Sequence, residues 1–238
     1  MINNRKIKLI NSLKRKKNRI EEGLFVVEGE KNIEELLDSN FQILEIYATD
    51  EWLSDVEHIK VSSKDLERIT SLSTPNKVLA LVKIPNSNSI NMGITSLLID
   101  GVNDPGNLGT IIRTANWFGI KQIICSSNSV DKFNPKVIMA SMGSIFKTDV
   151  IYTDLHQFIL ESKLPVYGAL LQGESIYDLN INSPCSILLG SESHGISAEL
   201  IPLITNKTTI PGGKNTESLN LGVSAAIYCS EYFKQNSI

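Results

Sequence analysis

Cysteine is scarce: Cys125, Cys185 and Cys229 are the three in 238 residues, with no CxxC pair and no histidine at ligand spacing. That pattern speaks against a disulfide framework and against a zinc site, and buried free thiols are expected. No apolar run approaches the ~20 residues needed to span a bilayer. The N-terminal segment is basic without the apolar stretch of a signal peptide, so a cytoplasmic protein is expected. Neither GxGxxG nor GxxxxGKS occurs, which removes the dinucleotide fingerprint and the Walker phosphate loop.

Acidic residues are missing from the first 19 positions, where Arg5, Lys6, Lys8, Lys14, Arg15, Lys16, Lys17 and Arg19 stand. The remainder holds 15 basic and 26 acidic residues, a formal −11, so an acidic chain carries a basic head. Screening acts over about 8 Å at physiological salt, so a local positive patch can meet phosphates whatever the sum elsewhere. Charge alone fits a solvated helix face equally well. The head also lacks aromatics, so any contact with RNA would be with phosphate rather than with bases.

What is present is ordinary for a globular α/β protein able to bury a core, at 42% hydrophobic and 21% charged residues. A loose helical pattern over 5–22 leads into a strand at 24–28 and a helix at 31–38. Strands are then expected at 42–49, 59–63 and 77–84, with a helix from 63 capped by Ser62 or Ser63. Residues 85–95 are rich in Asn, Ser, Pro and Gly and read as a linker. The expected division is therefore 1–84, a linker at 85–95, and 96–238.

Beyond the linker, strands and helices alternate, the pattern of a largely parallel sheet covered on both faces. Strands are expected at 96–100, 122–125, 149–152, 166–171, 186–190 and 208–210. Helices are expected at 110–118, 136–146, 156–162 and 198–203, with a last one opening at Ser218, Leu219 and Asn220. Polar loops at 101–109, 190–197 and 211–218 follow strands, and ligands of open α/β sheets collect beyond the carboxyl ends of strands.

The first loop holds Asn103, Gly106, Asn107 and Gly109, with Arg113 expected one turn inside the helix as a fork of donors for a phosphate or ribose oxygen. In the second, Gly190 leaves room for a ligand at the backbone, while Glu192 offers a carboxylate or simply caps the next helix. His194 has no evident partner and is a poor candidate base. In the third, Ser218 is either a plain N-cap or part of a pocket floor behind a Pro/Gly turn.

Together, N-x-G-x-x-x-R-x-x-x-x-F-G at 107–119, LLGSE-x-x-G at 188–195 and IP…SLN-x-x-V-x-x-A-I at 210–227 resemble the three motifs of the SpoU (TrmH) family of RNA ribose 2′-O-methyltransferases. The pattern K-x-R-x-x-x-G-x-F-V-V-E-G at 17–29 looks like the small substrate-binding domain of the ribosomal-RNA-modifying members. The resemblance implies an α/β C-terminal domain with a parallel sheet tied in a trefoil knot, and a small L30e-like N-terminal α/β domain. It also implies S-adenosylmethionine held in the knot, a homodimer, and no metal. By the same resemblance Asn107, Arg113, Glu192, Ser218 and Asn220 occupy catalytic positions. Leu170, Leu171, Gly190, Ile210 and Leu219 occupy positions that hold the methyl donor. The basic head, with Arg5, Lys14, Arg15, Lys16, Lys17 and Arg19, is expected to face RNA. Gly212 and Lys214, with Gly213 between, depart from the family's third motif, while the spacing from Pro211 to Ser218 is kept.

The implied chemistry is attack of a ribose 2′-oxygen on a methyl sulfonium, in line and without a covalent enzyme intermediate. Using an arginine as base is expensive, since a guanidinium of ordinary pKa about 12.5 costs roughly 7 kcal/mol to neutralise at pH 7. A charged Arg113 that stabilises the developing alkoxide is the favoured role. Ribosomal RNA of the large subunit is the expected substrate, with transfer RNA the alternative. Two rival classes are a non-catalytic RNA-binding or ribosome-assembly protein of the same fold and an α/β enzyme for a small nucleotide-like substrate, which would have no use for the basic head.

Overall fold

The computed structural model describes residues 2–86, 89–213 and 217–236. The basic head is two helices, α1 (Asn4–Ser12) and α2 (Lys16–Glu22), rather than one loose helix. Side chains break it by taking carbonyls a continuous helix would use: Asn18 donates to Ser12 O, and Arg19 to Leu13 O and Lys14 O. Gly23, at φ 64, ends α2 in the left-handed conformation that glycine adopts without strain.

The first half continues as β1 (Leu24–Glu28), α3 (Glu30–Leu37), β2 (Ile43–Ala48), β3 (Ile59–Lys60), α4 (Ser63–Glu67) and β4 (Val78–Lys83). These strands form one sheet in the order β1-β4-β2-β3, with β4 antiparallel to both β1 and β2. Ser62 is the cap of α4, accepting from Asp65 N.

The second half comprises β5 (Ser96–Asp100), α5 (Pro105–Trp117), β6 (Gln122–Cys125), α6 (Pro135–Ser141), β7 (Asp149–Tyr152), α7 (Leu155–Ser162), β8 (Val166–Ser175), β9 (Ser186–Gly190), β10 (Asn206–Thr209) and α8 (Leu221–Asn236). All its strand pairs are parallel, in the order β10-β8-β9-β5-β6-β7. The chain runs outward one way from β5 and the other way from β9, so β5 and β9 flank the switch point, with Asp100 paired to Gly190. Two of the three expected loops therefore leave adjacent strand ends, where α/β sheets bind ligands.

Several bounds differ from expectation for local reasons. Helix α5 starts at Pro105, since Asp104 caps it and proline at the first helical position sacrifices no hydrogen bond. Gly106, Asn107 and Gly109 are thus helical. Gly109 serves packing: a Cβ there would lie 2.4 Å from Ala140 Cβ and 2.8 Å from Val137 O, so α5 and α6 meet backbone to backbone. Helix α6 stops at Ser141 because Met142 (φ 50) and Gly143 (φ 85) turn left-handed, leaving a 3₁₀ turn at Ser144–Phe146. The helix expected at 198–203 is only a 3₁₀ turn, Ile201–Leu203.

One apolar core runs through both halves. Phe25 of β1 stacks on Phe133 with ring centroids 4.3 Å apart, and Phe41 meets Phe146 edge-on at 5.3 Å. The three cysteines are free and buried. Burial pushes their thiols up, to about 12 for Cys125 and Cys229 and about 11 for Cys185. The native protein at pH 8 is therefore expected to resist alkylation by iodoacetamide, and the denatured chain to react at all three positions. The raised thiols favour folding below their ordinary value of 9.0, and that contribution falls as pH climbs through 11 to 12.

Candidate active site

Three turns distant in the chain meet through a small polar cluster. Asn107, in the first turn of α5, donates from Nδ2 to Glu192 Oε1 and accepts at Oδ1 from Asn220 Nδ2 at 3.0 Å. Asn220 Nδ2 also reaches Glu192 Oε1 at 3.3 Å. Among the described residues Glu192 Oε2 has no partner, so one carboxylate oxygen anchors the cluster and the other is open to a ligand.

Each member is held by its own element. Asp104 Oδ1 accepts from Asn107 N at 2.9 Å, and a Cβ on Gly106 would crowd that same oxygen at 2.9 Å, which is why this turn carries glycine. Asn220 Oδ1 accepts from Val223 N at 3.2 Å, so Asn220 caps α8 while its amide crosses to Asn107. Ser218, expected to open the helix, lies before it, exposed and without a hydrogen bond among the described residues. Gly222 lets α8 approach α5, its Cβ position lying 3.2 Å from Thr110 Cγ2.

Gly190 needs a different explanation from the expected one. A Cβ there would fall 2.0 Å from Gly195 C and 2.1 Å from Ile196 N, so the space above it is filled by the chain's own turn and not left for a ligand. Ser191 and Gly195 exchange backbone hydrogen bonds of 2.9 and 3.0 Å, Gly195 sits at φ 67, and Ser197 N donates to Asp100 Oδ2 at 2.7 Å. This knuckle aims Glu192 at the cluster. Gly190→Ala should cost about 1–3 kcal/mol or more as overpacking against backbone, read as a lower urea midpoint, and should weaken activity through displacement of Glu192. His194 is exposed on the same knuckle and its side chain has no hydrogen bond among the described residues.

Arg113 is not part of the cluster. Six residues after Asn107 it lies roughly 9 Å further along α5 and about 120° around it. It is exposed, with no hydrogen bond or ion pair among the described residues. It shares the outward stripe of α5 with Thr110 and with Trp117, which is 81% exposed.

The positions expected to hold a methyl donor surround the ends of β8, β9 and β10. Pairing of β8 with β9 ends at Gly168, and on β10 the register jumps from Lys207 opposite Gly168 to Thr208 opposite Glu174. Residues 169–173, including Leu170 and Leu171, are passed over by both ladders, and Leu171 O accepts instead from Thr209 Oγ1 at 3.3 Å. Leu171 and Leu219 expose their side chains, at 77% and 47%, and Ile210 is half-buried. Among the described residues nothing lies within 4 Å of a Cβ placed on Gly212 or Gly213. Lys214 lies outside the described residues. No group of three or more metal-ligating side chains occurs among the described residues.

The basic head divides in two. Arg5, Lys14, Arg15, Lys16 and Lys17 are exposed, whereas Arg19 is 2% exposed and is withdrawn from the RNA-facing set. It makes hydrogen bonds to Leu13 O, Lys14 O and Asp131. Its partner stands 112 residues away, and no local pattern announces that pairing. Asp104 was also missed, although an Asp-Pro step is a readable helix start. Asp100, which holds the second loop through Ser197, gives no such signal.

A family model described as the SpoU rRNA Methylase family matches residues 95–230, and one described as an MRM3-like substrate binding domain matches residues 4–80. The chain is 32% identical over 234 residues to the 23S rRNA (guanosine(2553)-2′-O)-methyltransferase RlmP of Bacillus subtilis, covering 94% of each. A TrmH-family structure from Porphyromonas gingivalis superposes with a TM-score of 0.89 at 35% identity, over 99% of this chain and 100% of that one. An AdoMet-bound rRNA methyltransferase from Sinorhizobium meliloti does so at 0.87 and 27% identity, over 99% and 97%.

Proposed function

This chain belongs to the SpoU rRNA methylase family, and on that footing we propose that it methylates the ribose 2′-oxygen of a nucleotide in 23S ribosomal RNA, with S-adenosylmethionine as donor. The observation that carries the reading is the meeting of Asn107, Glu192 and Asn220 from three separate turns at the ends of adjacent strands. Neither a small-substrate enzyme nor a purely RNA-binding protein requires that conjunction, and the full-length match to RlmP favours ribosomal over transfer RNA.

The donor supplies an electrophilic methyl on a sulfonium. Leu171, Leu219 and Ile210 give its ring apolar surface, and Gly212 and Gly213, uncrowded among the described residues, leave space for its approach. Glu192 Oε2 and Ser218 Oγ, both without a hydrogen bond among the described residues, are the groups for the ribose hydroxyl and its neighbours, while Asn107 and Asn220 keep Glu192 in place. That rigidity counts in an orientation-limited reaction. The Arg113 guanidinium meets the target phosphate or 2′-oxygen.

The chain works as a homodimer in this reading. Among the described residues Arg113 has no partner; it shares a stripe with Trp117, and Val223 and Phe233 of α8 are 47% and 45% exposed, with Phe233 against Phe118. A second copy would bury this apolar face and bring its own Arg113 toward the cluster, and sedimentation should give the mass of two chains. The division of labour is placed at 85–95, with RNA gripped by 1–84 and methyl transfer in 96–238. The trefoil knot belongs to the same reading, as α8 crosses from the β10 edge back onto α5. No helix among the described residues is long and apolar enough to cross a membrane; the reading itself places the work on ribosomal RNA in the cytoplasm.

Mapping 2′-O-methyl groups on total RNA from a strain lacking the gene tests the assignment. Loss of one methyl group in 23S rRNA is expected, and the guanosine equivalent to the RlmP target is the first position to inspect. An unchanged 23S map with a transfer-RNA methyl lost would refute it.

A further inference from the structure

The exposed basic turn and the catalytic cluster are joined by a continuous set of contacts, and its central link is a buried ion pair. Arg19 spends its guanidinium in two directions. Nη1 holds Leu13 O at 2.7 Å and Lys14 O at 3.1 Å, which shapes the turn carrying Lys14, Arg15, Lys16 and Lys17. Nε and Nη2 grip Asp131 Oδ2 at 2.9 and 2.5 Å, across the boundary between the halves. The arginine side chain is 2% exposed and that of Asp131 16%.

Asp131 lies in the loop that follows β6, and this loop backs the first catalytic turn. Val130 N donates to Val102 O at 2.7 Å, and Val102 N donates to Ser129 Oγ at 3.2 Å. Two residues beyond Val102, Asp104 caps α5 and sets Asn107. Asp131 Oδ1 accepts from Phe133 N at 3.2 Å, and Phe133 stacks on Phe25 of β1. Separate fastenings join the halves elsewhere, Lys147 to Glu35 and Asn32 Nδ2 to Met139 Sδ at 3.3 Å, so the ion pair is not alone in keeping them together.

A buried pair gives little net stability, because desolvation offsets its attraction, but it holds geometry tightly. We propose that Arg19 and Asp131 are positioning residues: their buried pair fixes the basic turn at a set distance from the Asn107–Glu192–Asn220 cluster and thereby sets which ribose along the bound RNA is methylated. This rests on the reading in which the exposed turn grips RNA phosphates. The phosphate contacts carry no sequence information of their own, so selection of one nucleotide needs a rigid spacer between grip and chemistry. Displacement of a reactant by about 1 Å can cost up to about 10²-fold in rate.

The test uses the full chain, with RNA affinity, donor affinity, single-turnover rate at saturating RNA and the methylated position measured separately. The double variant Arg19→Gln, Asp131→Asn removes both charges of the pair together, Lys132 beside it keeping Asp149 as a carboxylate neighbour, and Asp131→Glu keeps the pair at longer reach. For the double variant the expected result is unchanged donor affinity and RNA affinity within about threefold, because the exposed lysines and arginine remain. The rate at saturation should fall about tenfold and methyl groups should appear on neighbouring riboses, with Asp131→Glu restoring part of the rate. Affinity and rate falling in proportion at an unchanged nucleotide, alongside a lowered melting midpoint, would overturn the proposal in favour of a purely structural pair. Unchanged rate and position would overturn it as well. If alanines at 14–17 leave RNA affinity intact, the premise itself fails, a result told apart because it appears with Arg19 and Asp131 untouched.

Discussion

Arg113→Ala should lower the single-turnover rate of methyl transfer by about 10²–10³-fold, the usual loss when a group that stabilises developing negative charge is removed. Donor affinity should stay unchanged. The folded state should hardly notice the substitution, as Arg113 is exposed and bonded to nothing among the described residues. Arg113→Lys separates charge from geometry: an ammonium keeps the charge but cannot present the planar fork, so most of the loss should persist. A lysine variant with near-wild-type rate and unchanged RNA binding would show that the guanidinium geometry is not used.

The second large effect concerns the basic turn. Replacing Lys14, Arg15, Lys16 and Lys17 together by alanine should weaken RNA binding by about 10–100-fold near physiological salt and flatten the salt dependence of log K by about 3, at 0.7–0.9 per lost phosphate contact. The four side chains are exposed, and their recorded ties are a hydrogen bond from Lys14 Nζ to Thr70 O at 2.8 Å and a surface pair of Lys17 with Glu21 at 3.7 Å. Such surface pairs contribute little to stability, so the variant should fold. Deleting residues 1–19 is a poorer experiment. It removes the buried Ile2, Ile10 and Leu13 together with Arg19, and the resulting failure would be one of packing.

Much of this architecture was readable because it rests on local rules. The bounds of β1, β5, β6, β7 and β9 agree with the apolar runs and the turn residues flanking them. Helix starts were read less well where glycine and proline carried two meanings. Pro105-Gly106 looked like loop, yet proline is preorganised for the first helical position and Gly106 makes room for the Asp104 cap. Met142 at φ 50 ends α6 against its own residue type, which no propensity anticipates. Glycine at 190 answers to something no local pattern shows, because the backbone that fills the space beside it belongs to the knuckle five residues on.

The candidate site shows the same split. That three turns converge could be argued from strand ends and from the family's motifs, since each motif alone admits a capping role. How they converge could not: the Asn107–Glu192–Asn220 hydrogen bonds depend on the pairing of Asp100 with Gly190 and on α8 crossing to α5. Arg19 is the clearest case of information absent from local sequence. Among eight basic residues in 19 positions nothing marks it as the buried one, and its role follows from Asp131, far along the chain.

Methyl transfer from labelled S-adenosylmethionine to 23S rRNA isolated from cells lacking the gene tests the central claim most directly, read by alkaline digestion. A ribose methylated on its 2′-oxygen blocks cleavage at its own phosphodiester. The expected result is therefore one labelled, alkali-stable dinucleotide. Label released wholly as mononucleotides would place the methyl on a base and contradict the account, as would the absence of transfer by a chain that binds both donor and RNA.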